Sequence, residues 1–375
     1  MKKAFTLFLC LALAGLLFLS PALIMQGIHK NTYTLWEQKR QNSYTGNLTL
    51  WHVVSFKTGG ETGVSYLKSR IRAFEKNNPY VFIQLKALTV EEAEAAIAAG
   101  EFPDLISFPL GFDISASQLS ELPDQHCLLQ PYRNIGRYQN ALYAYPYMAD
   151  FYTLCCNQDA LFYDDISLPF DSELSADALS ELTESFAHST SAELSLGSTA
   201  AFYAPLSYQF VRDGSLSSEH LQFWQRDLYR TSRDFWEKQS TLLLCPAAEA
   251  KKADAQNQTN AITLKTYAFS DYTDLCQFIA VRANLETAKE QMCQAFAASL
   301  LSDTAQKSLT SLYMLPTTSQ EEIYEDTPLY LQEYAHMSHS ACIPNHFALA
   351  AAGTQDNHLL FSDITQCREI LQLGK

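Results

Sequence analysis

Aromatic residues at the ends of predicted strands are the first candidates for binding chemistry in this sequence. Trp51-His52 lies in a short apolar segment at 48–54, and Phe108 ends another at 103–108. In sheets of parallel strands, ligands bind beyond the carboxyl ends of the strands, where an aromatic ring can contact the apolar face of a small solute. The alternative for both positions is packing at the rim of the sheet.

Patterns that would indicate an enzyme or a metal site are weak. An S-x-x-K pattern lies at 65–68, but the other motifs of the penicillin-binding enzymes do not accompany it in the required order. His126-Cys127 places a base beside a thiol, and we interpret it as a surface-loop pair. Three residues at steps of three could bind a metal, but we interpret them as a solvated helix face: Glu333, His336 and His339. The sequence therefore predicts no enzyme, no metal site and no cofactor.

The charge balance excludes one large class of function. The 375 residues contain 26 Lys and Arg against 41 Asp and Glu, which gives a formal net charge of −15. Nucleic-acid binding relies on basic patches that replace phosphate counterions, so no nucleic-acid partner is expected. Hydrophobic residues make up 47% of the chain and charged residues 18%, which indicates a folded protein with a sizeable core.

The first 28 residues are typical of an export segment. Lys2 and Lys3 precede an uncharged apolar run at 4–25. Two alternatives remain open: a signal peptide cleaved after Ala22, or a single uncleaved membrane anchor, since about 20 apolar residues span a bilayer. Either one places the body of the chain outside the cytoplasmic membrane, where it is secreted or tethered to the outer face.

The segment from 48 to 108 alternates strands and helices. Apolar residues recur at helical spacing over 64–76, and 81–85 alternates as a strand. Thr89 and Glu92 form a capping box that begins a second helix, and Gly100 ends it. Three strands separated by two helices predict a parallel sheet with crossover helices.

The second half of the chain has a mixed pattern. The polar segment 247–260 is predicted to be a surface loop, and Asn284 is predicted to cap a long helix. We interpret Cys155-Cys156 as two core residues of a strand. Helices are predicted at 174–188 and 221–236, and strands at 241–245 and 276–281.

Four stretches follow one another in a recognisable order. A helix ends in Phe-Glu-Lys-Asn-Asn-Pro at 74–79, and a Gly leads into a Pro-Asp strand at 100–106. A Tyr-Pro-Tyr strand and an Asn-Gln-Asp-Ala-Leu-Phe turn occupy 145–162, and a strand and helix lead to Leu-Pro over 278–316. In these stretches the chain resembles the bacterial extracellular solute-binding proteins of family 1, the maltose-binding-protein-like group.

The resemblance implies an α/β fold of the two-lobed, type II periplasmic-binding-protein kind. Each lobe is expected to be a mostly parallel sheet flanked by helices, with hinge strands joining the lobes. The first lobe would comprise 47–148 and 270–313, and the second 149–269 and 314–375. A solute bound between such lobes closes them by a hinge motion.

The resemblance also implies which residues contact the solute. Phe108 falls where a stacking aromatic residue often follows the Pro-Asp strand, and Asp150 falls where an acidic residue contacts the ligand. Tyr147 lies on the same hinge segment as Asp150. Trp51-His52 and Ser55 occupy the end of the first strand and the loop after it.

One departure from the family concerns a stacking tryptophan. The family often has this residue directly after a strand that matches 240–246 here, where the chain instead has Ala247-Ala248. Tyr203 and Trp236 are the candidates to replace it.

The expected function is capture of a small solute, with a sugar or oligosaccharide as the favoured class. The expected partners are the permease subunits of an ABC importer, and the protein is expected to act as a monomer. A second hypothesis is a membrane-anchored sensor or scaffold that no longer serves transport, which the missing tryptophan and the uncleaved-anchor alternative for the export segment favour.

Overall fold

The computed structural model describes residues 44–54, 63–163, 232–256, 262–269, 273–319 and 343–348, with short pieces at 168, 173–175, 178 and 194–196. Several sequence predictions lie outside these residues: the export segment 1–28, Ser55, Tyr203, the metal candidate at 333–339 and nearly all of the helices at 174–188 and 221–236. In the described part of the chain, no helix is both long and apolar enough to cross a membrane.

The first of two five-stranded sheets is built mainly from the amino-terminal part of the chain. Its strands are β1 (Gly46–Val53), β2 (Val81–Leu88), β3 (Leu105–Pro109), β6 (Ala144–Ala149) and β12 (Cys276–Val281), and a hairpin of β4 (Arg137–Tyr138) and β5 (Ala141–Leu142) precedes β6. The order is β2-β1-β3-β12-β6. β1 is parallel to β2 and β3, and β12 is antiparallel to β3 and β6, so a single strand runs against the other four.

Two helices connect the parallel strands, as the sequence predicts. They are α1 (Val64–Asn77) and α2 (Val90–Ala98). The capping box is confirmed, because the Thr89 hydroxyl accepts the Glu92 N–H at 3.2 Å and the Glu92 carboxylate accepts the Thr89 N–H at 2.9 Å. Gly100 follows the helix with a φ of 84°, a left-handed conformation that glycine adopts without strain.

Buried apolar side chains cover both faces of the first sheet. One face carries the Phe108 cluster, which includes Trp51, Ile106, Phe108, Phe278 and Phe347. The other face carries the Tyr147 cluster, which includes Leu50, Tyr66, Tyr147, Ile279 and Phe296. Because successive residues of a strand point to opposite faces, Ser107 shares the face of the Tyr147 cluster although its neighbour Phe108 does not.

The second sheet has the order β8-β11-β7-β10-β9. Its strands are β7 (Tyr152–Asn157), β8 (Glu173–Leu174), β9 (Leu194–Leu196), β10 (Leu242–Pro246) and β11 (Leu264–Phe269). β7 is antiparallel to both β10 and β11, while β8 and β9 are parallel to their neighbours, so again one strand opposes four. Cys155 and Cys156 are buried in β7, which confirms their interpretation as core residues.

Five further α-helices are described, besides three short 3-10 helices at Ala116–Gln118, Gln130–Tyr132 and Ser308–Leu312. The five α-helices are α3 (Gln158–Tyr163), α4 (Ser232–Trp236), α5 (Ala247–Gln256), α6 (Thr287–Ser299) and α7 (Asp303–Lys307). α6 packs its buried Phe296 against the Tyr147 cluster, where the ring meets Phe74 of α1 edge-on at 5.2 Å.

The chain passes between the two sheets at 149–152 and at 273–276, and we define the junction as these two segments together with 246–248, where β10 leads into α5. The backbone N–H of Asp150 donates to the Leu275 carbonyl at 2.8 Å, and that of Ala247 donates to the Phe151 carbonyl at 2.8 Å. The three segments are therefore hydrogen-bonded to one another. The division of the chain into lobes at 148–149, 269–270 and 313–314 stays a prediction. Residues 343–348, which lie in the predicted second lobe, pack on the Phe108 cluster of the first sheet.

Two local predictions are wrong, and several strands were not predicted, of which β11 is the longest. Most of the expected surface loop, residues 247–256, is helix α5, because its Ala- and Lys-rich sequence favours helix whatever its polarity. Asn284 lies in a turn with a φ of 60°, and α6 begins later, at Thr287. β11 was not predicted because its apolar and polar residues do not alternate clearly. Its outward positions are only partly exposed, so they do not require polar residues.

Candidate functional site

A buried polar network crosses four adjacent strands of the first sheet. Each strand supplies one side chain: His52 from β1, Ser107 from β3, Gln277 from β12 and Tyr147 from β6. The Ser107 hydroxyl lies 3.0 Å from His52 Nδ1, 3.0 Å from the Tyr147 hydroxyl and 3.0 Å from Gln277 Nε2. All four residues are buried, so these contacts are made away from bulk water.

Strand register and ring stacking position the members of this network. His52 and Ser107 are directly paired in the parallel ladder of β1 and β3. The Tyr147 ring stacks on Tyr66 of α1, with 6.2 Å between centroids and 9° between planes. Burial raises the pKa of the Tyr147 phenol far above its usual range, so its hydroxyl keeps the proton and can donate it.

Asp150 lies at the junction, directly after the last residue of β6. Its carboxylate accepts the backbone N–H of Ala248, in the first turn of α5, at 3.1 Å. The Thr273 hydroxyl donates to the Asp150 carbonyl at 2.7 Å. The Asp150 side chain is fully buried, and within the described residues its second oxygen, Oδ1, has no hydrogen-bond partner.

The electrostatic setting of Asp150 is unfavourable for its charge. Burial raises the pKa of this carboxyl from 3.8 to about 6, although the Lys251 ammonium and the N–H of Ala248 act in the opposite direction. Lys251 is itself buried on α5, with its ammonium 5.5 Å from the centre of the Phe151 ring. At neutral pH the protein therefore keeps an ionised carboxylate at the junction at a cost in stability.

Phe108 lies within the core of the first sheet. Its ring stacks on Phe278, its partner in the ladder, at 5.7 Å and 14°, and His346 covers it at 4.8 Å. His346 is fixed in turn, because its Nδ1 accepts the Gly111 N–H at 3.1 Å just after β3. Burial lowers the pKa of His346 to about 3, so the imidazole is neutral at physiological pH.

The two tryptophans of the predicted site lie in different parts of the fold, Trp51 in the first sheet and Trp236 in a helix beside the second. Trp51 is buried in the Phe108 cluster, and the Lys86 ammonium lies 5.5 Å from its ring centre. Trp236 ends α4 and meets Phe235 edge-on at 5.0 Å, next to Cys155 of the second sheet. Trp236 is half-buried.

The structure thus brings some of the predicted site residues together. His52 and Tyr147 meet through Ser107, and Asp150 follows Tyr147 by three positions on the same segment. Phe108 and Trp51 share the opposite face of the sheet, while Trp236 lies in α4 and packs against the second sheet. A solute contact by any of them stays a prediction.

Sequence reasoning missed two members of the network, Ser107 and Gln277. The signal was present, because each is a single polar residue within a strand that is otherwise apolar, and a buried polar group requires a hydrogen-bond partner. No group of three or more His, Cys, Asp or Glu side chains in the described ranges is arranged to hold a metal ion.

Comparison with solved structures identifies the fold. A chitin oligosaccharide binding protein superposes with a TM-score of 0.62 at 14% identity, covering 88% of this chain and 98% of that one. The cyclic alpha-maltosyl-1,6-maltose binding protein from Arthrobacter globiformis gives 0.62 at 15% identity, with 88% and 95% covered. An ABC substrate-binding protein from Listeria monocytogenes in complex with cycloalternan gives 0.59 at 12% identity, with 88% and 99% covered.

These similarities are structural. No protein-family model matches the sequence, and no curated protein matches it. The chain has the two-lobed α/β fold of the substrate-binding proteins, which confirms the fold class that its motifs imply.

Proposed function

We propose that this chain is an extracytoplasmic solute-binding protein that captures a small solute between its two lobes and delivers it to an ABC importer. The favoured solute is a sugar or an oligosaccharide. The three neighbours described above are binding proteins for such compounds, and their fold extends over 88% of this chain. The proposal includes the permease subunits of the importer as partners and a location outside the cytoplasmic membrane.

The observation that carries the proposal is the position of Asp150. A buried carboxylate at the crossing between two sheets, with one oxygen bound to a helix amide and the other without a partner in the described part of the chain, can accept a hydrogen bond from a solute. Sugar hydroxyls are donors of the required kind, and sites of this sort need only a few well-placed polar groups. A hydrogen bond to a charged group contributes about 1.5–3 kcal/mol.

A thermal-shift screen tests the proposal. The purified protein is heated with maltose, a chitin oligosaccharide and a xylan oligosaccharide in separate samples. A ligand that binds only the folded state stabilises it by about 2.7 kcal/mol at a concentration of 100 Kd, which gives a clear rise in Tm. Asp150→Ala should remove the rise, and Asp159→Ala, which changes an exposed carboxylate in α3, should preserve it.

A flat screen on well-folded protein would contradict a carbohydrate ligand. Amino acids, short peptides and polyamines then form the next panel. If that panel is flat as well, the result favours the anchored sensor or scaffold, and capture of a membrane-bound kinase instead of permease subunits would support that second hypothesis.

A further inference from the structure

We infer that Gln277, Tyr147 and Ser107 are positioning residues that hold His52 in a single tautomer, with its proton on Nε2. In this tautomer His52 accepts a hydrogen bond at Nδ1 and can only donate one at Nε2, at the carboxyl end of β1. The role of His52 as a solute contact rests on the proposed function, whereas the tautomer follows from the hydrogen bonds alone.

The orientation of the Gln277 amide is the first step. Gln277 Nε2 lies 3.1 Å from the Val53 carbonyl oxygen, which can only accept, so the nitrogen must be on this side of the amide. The same nitrogen lies 3.0 Å from the Ser107 hydroxyl oxygen. Both hydrogens of the NH₂ group are therefore donated, and one of the two acceptor sites on the Ser107 oxygen is filled.

Tyr147 fills the second acceptor site of Ser107. The Tyr147 hydroxyl is buried and keeps its proton, and Ser107 is its hydrogen-bond partner at 3.0 Å. If Ser107 donated to Tyr147, the Tyr147 proton would be left buried with no acceptor among the described residues, which is unfavourable. Tyr147 is therefore the donor in this pair.

The remaining contact of Ser107 fixes the tautomer of His52. With both acceptor sites occupied, the Ser107 hydroxyl must donate its own proton, and His52 Nδ1 is the acceptor at 3.0 Å. A neutral imidazole that accepts at Nδ1 carries its hydrogen on Nε2. The order of donation runs from Tyr147 to Ser107 to His52.

The donor nitrogen of His52 lies beside the residue that precedes α1. His52 Nε2 lies 3.6 Å from the position that a Cβ atom would occupy on Gly63, the residue before α1. This is the carboxyl end of β1, where ligands of parallel sheets bind. In this tautomer Nε2 carries the hydrogen and can only donate, so the network excludes a hydrogen-bond donor, such as an ammonium group, as the partner of His52 Nε2.

Nitrogen NMR of the full chain with ¹⁵N-labelled histidine tests the tautomer without any ligand. We expect His52 to show an unprotonated Nδ1 that accepts a hydrogen bond and a protonated Nε2. This tautomer should be populated about tenfold or more over the other. Tyr147→Phe should bring the two tautomers close to equal population, because Ser107 can then accept from His52. Tyr145→Phe is the matched control, since the Tyr145 hydroxyl donates to the Pro123 carbonyl and lies outside the network.

Two results would overturn the inference: a proton on Nδ1 of the unmodified protein, or a tautomer ratio that Tyr147→Phe leaves unchanged. Ser107→Thr keeps a hydroxyl and should leave the tautomer ratio unchanged. Ser107→Ala removes the hydroxyl and should bring the two tautomers closer to equal population. The pair of variants separates the effect of the hydrogen bond from general effects on folding.

Solute affinity tests the positioning role separately. Among maltose, a chitin oligosaccharide and a xylan oligosaccharide, the sugar that binds the unmodified protein should bind Tyr147→Phe about 3–10-fold more weakly and Tyr145→Phe equally well. Equal affinity in both variants would overturn the positioning role. If none of these sugars binds the unmodified protein, the carbohydrate proposal fails, and the NMR result still decides the tautomer.

Discussion

The Asp150 carboxylate accepts a hydrogen bond from the backbone N–H of Ala248 at 3.1 Å, although the two residues are 98 positions apart in the sequence. Asp150 directly follows β6 of the first sheet. Ala248 lies in the first turn of α5, which begins directly after β10 of the second sheet. The partial positive charge of a helix N-terminus favours a carboxylate at this place. The Asp150 side chain thus forms a hydrogen bond between segments of the two sheets at their junction.

The first prediction concerns the pH dependence that Asp150 gives to stability. Its folded pKa of about 6 is above the ordinary value of 3.8, so the folded state binds this proton more tightly than the unfolded state. The free energy of unfolding therefore falls as pH rises from about 4 to about 6, by up to about 3 kcal/mol. Asp150→Asn should remove this loss, and the variant should be the more stable protein at pH 7.5.

Urea unfolding at pH 4.5 and at pH 7.5 measures the effect. Asp159→Asn, at an exposed position of α3, is the control and should follow the unmodified protein at both pH values. An Asp150→Asn variant that is less stable at pH 7.5 would contradict the assignment of a destabilising buried charge.

The second prediction concerns His346, whose pKa is lowered to about 3 by burial. The unfolded chain binds the proton at about 6.5, so acid favours unfolding, and this contribution to stability declines below pH 6.5 by at most about 1.4 kcal/mol per pH unit. His346→Gln should therefore lose more stability relative to the unmodified protein at pH 7.5 than at pH 4.5. His126→Gln, at an exposed position, should show no such difference between the two pH values.

The third prediction concerns the thiols. Cys127 is exposed, whereas five other described cysteines are buried: Cys155, Cys156, Cys245, Cys276 and Cys293. Thiolate is the reactive form, and burial both blocks access and raises the pKa of the Cys276 and Cys293 thiols. A short pulse of iodoacetamide followed by peptide mass spectrometry should label Cys127 in the folded protein and the other five only in denaturant. Labelling of Cys155 or Cys245 without denaturant would show that the second sheet opens.

The fourth prediction concerns Phe108, whose ring is fully buried between Phe278 and His346. Phe108→Ala should lower the free energy of unfolding by about 3–5 kcal/mol, because it removes a large core side chain and leaves a cavity. Phe82→Ala is the matched control, since Phe82 is 55% exposed on β2 and should change stability by no more than about 0.5 kcal/mol. Equal effects in the two variants, measured by urea unfolding, would contradict the buried position of Phe108.

The elements of the first sheet were predictable from local signals. The apolar spacing of α1, the capping box at Thr89 and the left-handed glycine at Gly100 each act within a few residues, so the sequence displays them directly. α5 was not recognised because its polar composition was given more weight than its helix propensity.

The site was predictable only in part. Asp150 and His52 could be named from motif and strand position, but their partners come from segments far along the chain. Ala248 meets Asp150 only because β6 and β10 both end at the junction, and Ser107 meets Gln277, 170 positions away, only because β3 and β12 are neighbours. Contacts of this kind depend on strand order, which no local pattern in the sequence encodes.

Solute capture between two lobes is tested most directly by small-angle X-ray scattering of the protein with and without the sugar that raises its Tm. We expect a smaller radius of gyration at saturating sugar, because the lobes close, and no change for Asp150→Ala at the same concentration. A sugar that binds with a defined stoichiometry but leaves the radius of gyration unchanged would contradict capture by closure of the two lobes.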